Sequence, residues 1–74
     1  MFYIVNRLSI KDGKETHSTQ IFETYEEARK RYYNIIAADL NDDAITYQLA
    51  DIVSSDGLTR DIQVFDRNAE NESN

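Results

Sequence analysis

Lys11-Asp12-Gly13-Lys14 separates two runs that read as β-strands, and Asp56-Gly57 does the same later in the chain; these two pairs hold its only glycines. Asp and Gly accept the positive φ angles that tight hairpin turns demand, and their neighbours do not. Upstream of the first turn, Phe2 to Ile10 alternates. Phe2, Ile4, Leu8 and Ile10 fall on one side, with Asn6 as a polar interruption, and Tyr3, Val5, Arg7 and Ser9 fall on the other. A period of two marks a strand with one buried side. Downstream, Glu15 to Phe22 is rich in Thr and Ser, a make-up that suits a sheet edge. A two-residue loop sets Lys11 opposite Lys14, Leu8 opposite His17, Asn6 opposite Thr19 and Ile4 opposite Ile21. That register gathers Ile4, Leu8, Ile10 and Ile21 on the expected core face. A three-residue loop with a glycine bulge is the competing register.

Between the hairpins the period changes. Thr24 is the expected helix N-cap, and Glu27 three residues on completes a capping box, in which each side chain can satisfy the other's free backbone N–H. Tyr25, Ala28, Tyr32, Ile35, Ile36 and Leu40 recur at three- and four-residue steps and form one apolar stripe. Glu26 with Lys30, and Glu27 with Arg31, are four apart on the opposite, water-facing side. Asn41-Asp42-Asp43 ends the helix. Ala44 to Val53 is the expected third strand, with Ile45, Tyr47 and Leu49 inward. Leu58 to Asp66 is the fourth, with Ile62 and Val64 on one face. A two-residue loop at Asp56-Gly57 pairs Ser55 with Leu58 and Leu49 with Val64. The expected architecture is α+β: a four-stranded antiparallel sheet in the order β-β-α-β-β, with one helix packed on one face. It forms a single domain over residues 1–67, followed by an acidic tail at 68–74 expected to be disordered.

One helix covers one side of such a sheet. The other side is expected to stay open and to carry Tyr3, Val5, Phe22, Ile52 and Phe65, unless twist and bulges turn some of them inward. An apolar surface of that extent on so small a chain points to association. Tyr33, at the flank of the helix stripe, could touch a partner as well. Asp39, Asp42 and Asp43 gather where a helix C-terminus disfavours negative charge. A turn rich in Asn and Asp explains them, and a contact for a basic partner is the functional reading. The expected interface is therefore Tyr3, Val5, Phe22, Tyr33, Ile52, Phe65, Asp39, Asp42 and Asp43.

Seventy-four residues make one small domain, whose core supplies no more than ~3–5 kcal/mol of stability without reinforcement. There is no cysteine and a single histidine, so neither disulfides nor a thiolate metal site can supply it. Good packing or self-association remains, the latter most simply as a homodimer. Fourteen Asp and Glu against eight Lys and Arg give a net charge of −6, which phosphate backbones repel. The acidity serves solubility, or else imitates nucleic acid to block a protein that grips DNA. The absence of cysteine fits a reducing cytoplasm. No basic leader precedes Phe2-Tyr3-Ile4-Val5, and no apolar run approaches the ~18 residues of a membrane span. Asn71-Glu72-Ser73 is a chance glycosylation sequon on this reading.

Candidate chemistry is sparse. Asp39, Asn41 and Asp43 have the opening spacing of a calcium loop, but Ala44 stands where glycine is needed and Ala50 where a bidentate glutamate should close the shell. His17 near Ser9 or Ser18 lacks an orienting third group. Arg29-Lys30-Arg31 reads as a salt-bridged, solvated face. The expectations are no cofactor, no metal, no enzymatic activity, no direct nucleic-acid contact and no membrane.

The strand opening Phe2-Tyr3-Ile4-Val5, the turn Lys11-Asp12-Gly13-Lys14-Glu15, Thr24 with Glu26-Glu27-Ala28, Tyr32-Tyr33 and the Asp56-Gly57 hairpin together resemble small, largely uncharacterised proteins of bacteriophages and prophages of Gram-positive bacteria. The resemblance covers nearly everything before the tail and rests on structural motifs, so it carries over no active site. It implies a phage accessory or virion-associated protein without catalysis, acting by protein–protein association in the host cytoplasm or in the virion. Phages also encode small acidic inhibitors of host defence, anti-CRISPR proteins and DNA mimics among them, and that class is the alternative.

Overall fold

A computed structural model of the chain describes residues 1–67; the tail expected at 68–74 lies outside the described residues. The elements are β1 (Tyr3–Lys11), β2 (Lys14–Phe22), α1 (Tyr25–Leu40), β3 (Ile45–Ser54) and β4 (Thr59–Asp66). The strands form one antiparallel sheet in the order β2-β1-β3-β4. The polar β2 is indeed an edge strand, and β1 and β3 are central.

The two Asp-Gly hairpins differ. In the first, the ladder runs unbroken from Lys11↔Lys14 to Tyr3↔Phe22 and contains every expected pair. Asp12 and Gly13 both have positive φ, 52° and 79°, as a two-residue type I′ turn requires. In the second, Gly57 alone is positive. Its N–H donates to the Ser54 carbonyl, and the Ser54 N–H donates to the Leu58 carbonyl. The loop therefore has three residues, Ser55-Asp56-Gly57, and Ser55 does not pair with Leu58. The Asp56 carboxylate favours this shape, since it accepts from the Ser54 hydroxyl, the Leu58 N–H and Arg60. The longer loop shifts the register by one. A bulge at Arg60, between Ile52↔Asp61 and Val53↔Thr59, shifts it back, so Leu49 still pairs with Val64.

Thr24 caps α1, its hydroxyl accepting from the Glu27 N–H. The helix lies on the sheet face opposite to the one its aliphatic content suggests. Val5, Ala50 and Ile52 are buried with Ala28, Tyr32 and Ile35, and Tyr3, Phe22, Tyr25 and Ile36 pack around them. Ile4, Leu8, Ile10 and Ile21 are on the uncovered side. Ser9, Ala50 and Ser54 are small and buried on the helix face beside Val5 and Ile52, and they let the helix approach closely. The same face offers Arg7, whose guanidinium pairs with Asp39 beneath the helix. Asp39 accordingly takes a buried position on α1, while Leu40, expected in the stripe, is exposed. A second bulge, at Thr46, sets Ile45 opposite Lys11 and turns it to the helix side, where it is buried. Tyr47 and Leu49, expected inward with it, stay on the open side.

Candidate functional site: the uncovered sheet face

The registers place the outward side chains of the four strands in rows. One row is His17, Leu8, Leu49 and Val64. The next is Thr19, Asn6, Asp51 and Ile62, followed by Ile21, Ile4 and Val53. Glu15, Ile10, Tyr47 and Asp66 close the other end. Ile21, Ile62 and Val64 are 66%, 60% and 47% exposed, and Ile4, Leu8, Ile10, Leu49 and Val53 are half-buried by their neighbours alone. The polar interruption at Asn6 is part of a chain of hydrogen bonds. The Thr19 hydroxyl donates to Asn6 Oδ1 at 3.0 Å, and Asn6 Nδ2 donates to Asp51 Oδ1 at 2.8 Å. A shallow depression lined by Leu8, His17, Thr19, Leu49, Asn6 and Asp51 marks the middle of the face.

The expected interface residues fare differently. Val5 and Ile52 are core residues, and Tyr3 and Phe22 pack against that core, so the surface they were expected to form is closed by α1. Phe65 is half-buried with the Arg67 guanidinium over its ring. Tyr33 is exposed, and Arg29 lies over its ring and donates to its hydroxyl. Asp39 is 1% exposed and receives two hydrogen bonds from Arg7, at 3.0 and 2.5 Å; it cannot meet a partner. Asp42 accepts from the Lys11 ammonium at 2.8 Å and from the Ala44 N–H. These bonds hold its carboxyl below the usual carboxylate range, and Asp42 in turn raises the Lys11 pKa. Of the acidic turn, Asp42 is half-buried and Asp43 exposed. The macrodipole conflict is resolved from β4: Arg67, just beyond that strand, donates to the carbonyls of Leu40, Asp42 and Ile45, placing a cation at the helix C-terminus.

Elsewhere, Tyr3, Tyr25 and Arg60 line an open cleft. The Tyr25 hydroxyl donates to the Asp61 carboxylate, and that bond, more than burial, raises the phenol's pKa. His17 is exposed, with Nε2 3.9 Å from the Glu15 carboxylate. Among the described residues, no three His, Cys, Asp or Glu side chains cluster so as to hold a metal ion, and no helix is long and apolar enough to cross a membrane.

Aliphatic alternation misled the assignment of faces. Ser9, Ala50 and Ser54 share one face with Arg7 only once β1 is paired with β3, and that pairing is given by the structure. No protein-family model, curated protein or solved structure matches this chain.

Proposed function

We propose that this chain is a non-enzymatic protein-interaction module that associates through the uncovered sheet face. The observation that carries the reading is the apolar field of Ile4, Leu8, Leu49, Val53, Ile62 and Val64, crossed by the Thr19–Asn6–Asp51 seam, on a chain rich in charged residues. A monomer of this size gains nothing from holding such a patch in water. A phage accessory or virion-associated role in the host cytoplasm belongs to the same proposal, supported by the resemblance of the turn and helix motifs. The test is Leu8→Asp with Ile62→Asp as a companion. Both variants keep the wild-type circular dichroism spectrum and lose association in light scattering. Association that survives both variants assigns it to another surface.

The alternative, an acidic inhibitor imitating nucleic acid, draws on the net charge of −6. It is weakened because Asp39, Asp42, Asp51, Asp56 and Asp61 are each bonded within the chain, leaving fewer carboxylates for a phosphate-like array. Salt-sensitive displacement of DNA from a nuclease would revive it.

A further inference from the structure

The geometry points to a second copy of this chain as the occupant of the uncovered face, in a two-fold sandwich whose axis runs parallel to the strands between β1 and β3. This rests on the association reading above and names its partner.

The argument begins with area. Four strands ~4.8 Å apart and about eight residues long at ~3.3 Å each give a face of roughly 500 Å². Two such faces bury roughly 1,000 Å² before side-chain relief is added, the floor for a biological interface and the size of a weak one. Sheets pack face to face about 10 Å apart through this kind of aliphatic layer.

The row pattern then selects the axis. A two-fold axis parallel to the strands exchanges left and right within each row. It sets Leu8 against Leu49 of the other copy, Ile4 against Val53 and Ile10 against Tyr47, each contact occurring twice, as an isologous interface requires. It also brings Asn6 of each copy over Asp51 of the other. The carboxylate near the centre thus meets an amide donor and not its own image. A two-fold axis lying across the strands midway between the Leu8 and Asn6 rows would instead place Leu49 against Asp51 and Leu8 against Asn6, burying a carboxylate among aliphatics, and one lying along the Asn6–Asp51 row would set the two Asp51 carboxylates against each other. The remaining charged groups of the face, Glu15, His17 and Asp66, stand on its edge strands. Glu15 and Asp66 of opposite copies face each other across solvent at the rim, so added salt should tighten the pair.

The experiment is sedimentation equilibrium of the full chain from micromolar to millimolar concentration, with an isotope-filtered NOE measurement on a mixture of labelled and unlabelled chains. A dimer is expected, with intermolecular NOEs from Leu8 to Leu49 and from Ile4 to Val53. Leu49→Asp, and independently the more exposed Ile62→Asp, should weaken it at least about 30-fold while leaving the fold intact by circular dichroism. A dimer indifferent to both substitutions, or one with NOEs from Leu8 to Asn6, overturns the arrangement. A chain monomeric at millimolar concentration overturns the second-copy inference outright. In that event, capture from a host lysate that is lost in Leu49→Asp leaves the association reading standing, and capture that is absent or unchanged removes both.

Discussion

The two faces of the sheet carry similar numbers of apolar side chains and have opposite fates. The covered face is uneven: aliphatic Val5 and Ile52 stand beside small Ser9, Ala50 and Ser54, with Arg7 reaching Asp39. The uncovered face is a more uniform field of Leu, Ile and Val with a hydrogen-bonded seam through it. The difference teaches that a helix goes where it fits, and that apolar content by itself does not choose the side.

Substitutions at matched positions break or sharpen this contrast. The largest effect is expected at Ile52, which is fully buried. Ile52→Ala should lose roughly 3–4 kcal/mol, most of the stability available to a chain of this size. Leu49→Ala, three residues away on the other face, should cost less than about 1 kcal/mol in urea titrations at concentrations where the chain is monomeric. Equal losses would erase the distinction between core and docking face.

Next is the ion pair of the covered face. Asp39→Ala removes a buried carboxylate and leaves Arg7, about a quarter exposed, without its partner. The loss should be roughly 3 kcal/mol, the lower end for a broken buried pair. A loss below 1 kcal/mol would mean that Arg7 turns freely to water and does not help fix the helix to this face.

Gln48 offers an effect of opposite sign. It is completely buried on the covered side, and neither its Oε1 nor its Nε2 has a hydrogen-bond partner among the described residues. Gln48→Met keeps the volume and removes the orphaned amide, so the thermal midpoint should rise by the equivalent of about 1–2 kcal/mol. A fall would reveal a partner for that amide.

The smallest effect is the acid limb at the margins of the sheet. Lys11 lowers the Asp42 pKa from its usual 3.8, and the Ser54 hydroxyl and Leu58 N–H do the same for Asp56. For groups whose folded pKa is depressed, the stabilisation is present above the unfolded value of 3.8. It disappears as pH falls through the lower folded value. Asp42→Asn should flatten that part of the profile of midpoint against pH, and an unaltered profile would count the Lys11 contact as solvated.

Much of this architecture was legible in the chain. Asp12-Gly13 located the first turn, and of the two registers it allows the structure takes the two-residue loop, with Asp12 and Gly13 both at positive φ. Thr24 and the stripe from Tyr25 to Ile36 located the helix. The side on which the helix lands was not legible from alternation, because both sets of β1 residues contain apolar groups and the deciding features lie on three elements distant in sequence: Arg7, Asp39 and Ala50. Asp39 looked like surface acid for the same reason, since its partner is 32 residues away. The open face was therefore foreseen and its occupants were exchanged, with Tyr3, Val5, Phe22 and Ile52 inside and Ile4, Leu8, Ile62 and Val64 outside. The second turn is one residue longer than the first although Asp56-Gly57 matches Asp12-Gly13 in letters, because the Asp56 side chain bonds to its own loop.

Arg60 is supernumerary to the ladder of β4, since Thr59 and Asp61 sit opposite adjacent residues of β3. Removing it would straighten the strand yet keep its reading frame, with Ile62 and Val64 still facing outward. Removing Ile62 would put everything beyond it out of phase, sending Gln63 to the outer surface and Val64 toward the inner one. Two deletions two positions apart thus separate a change in curvature from a change in chemical identity of the surface.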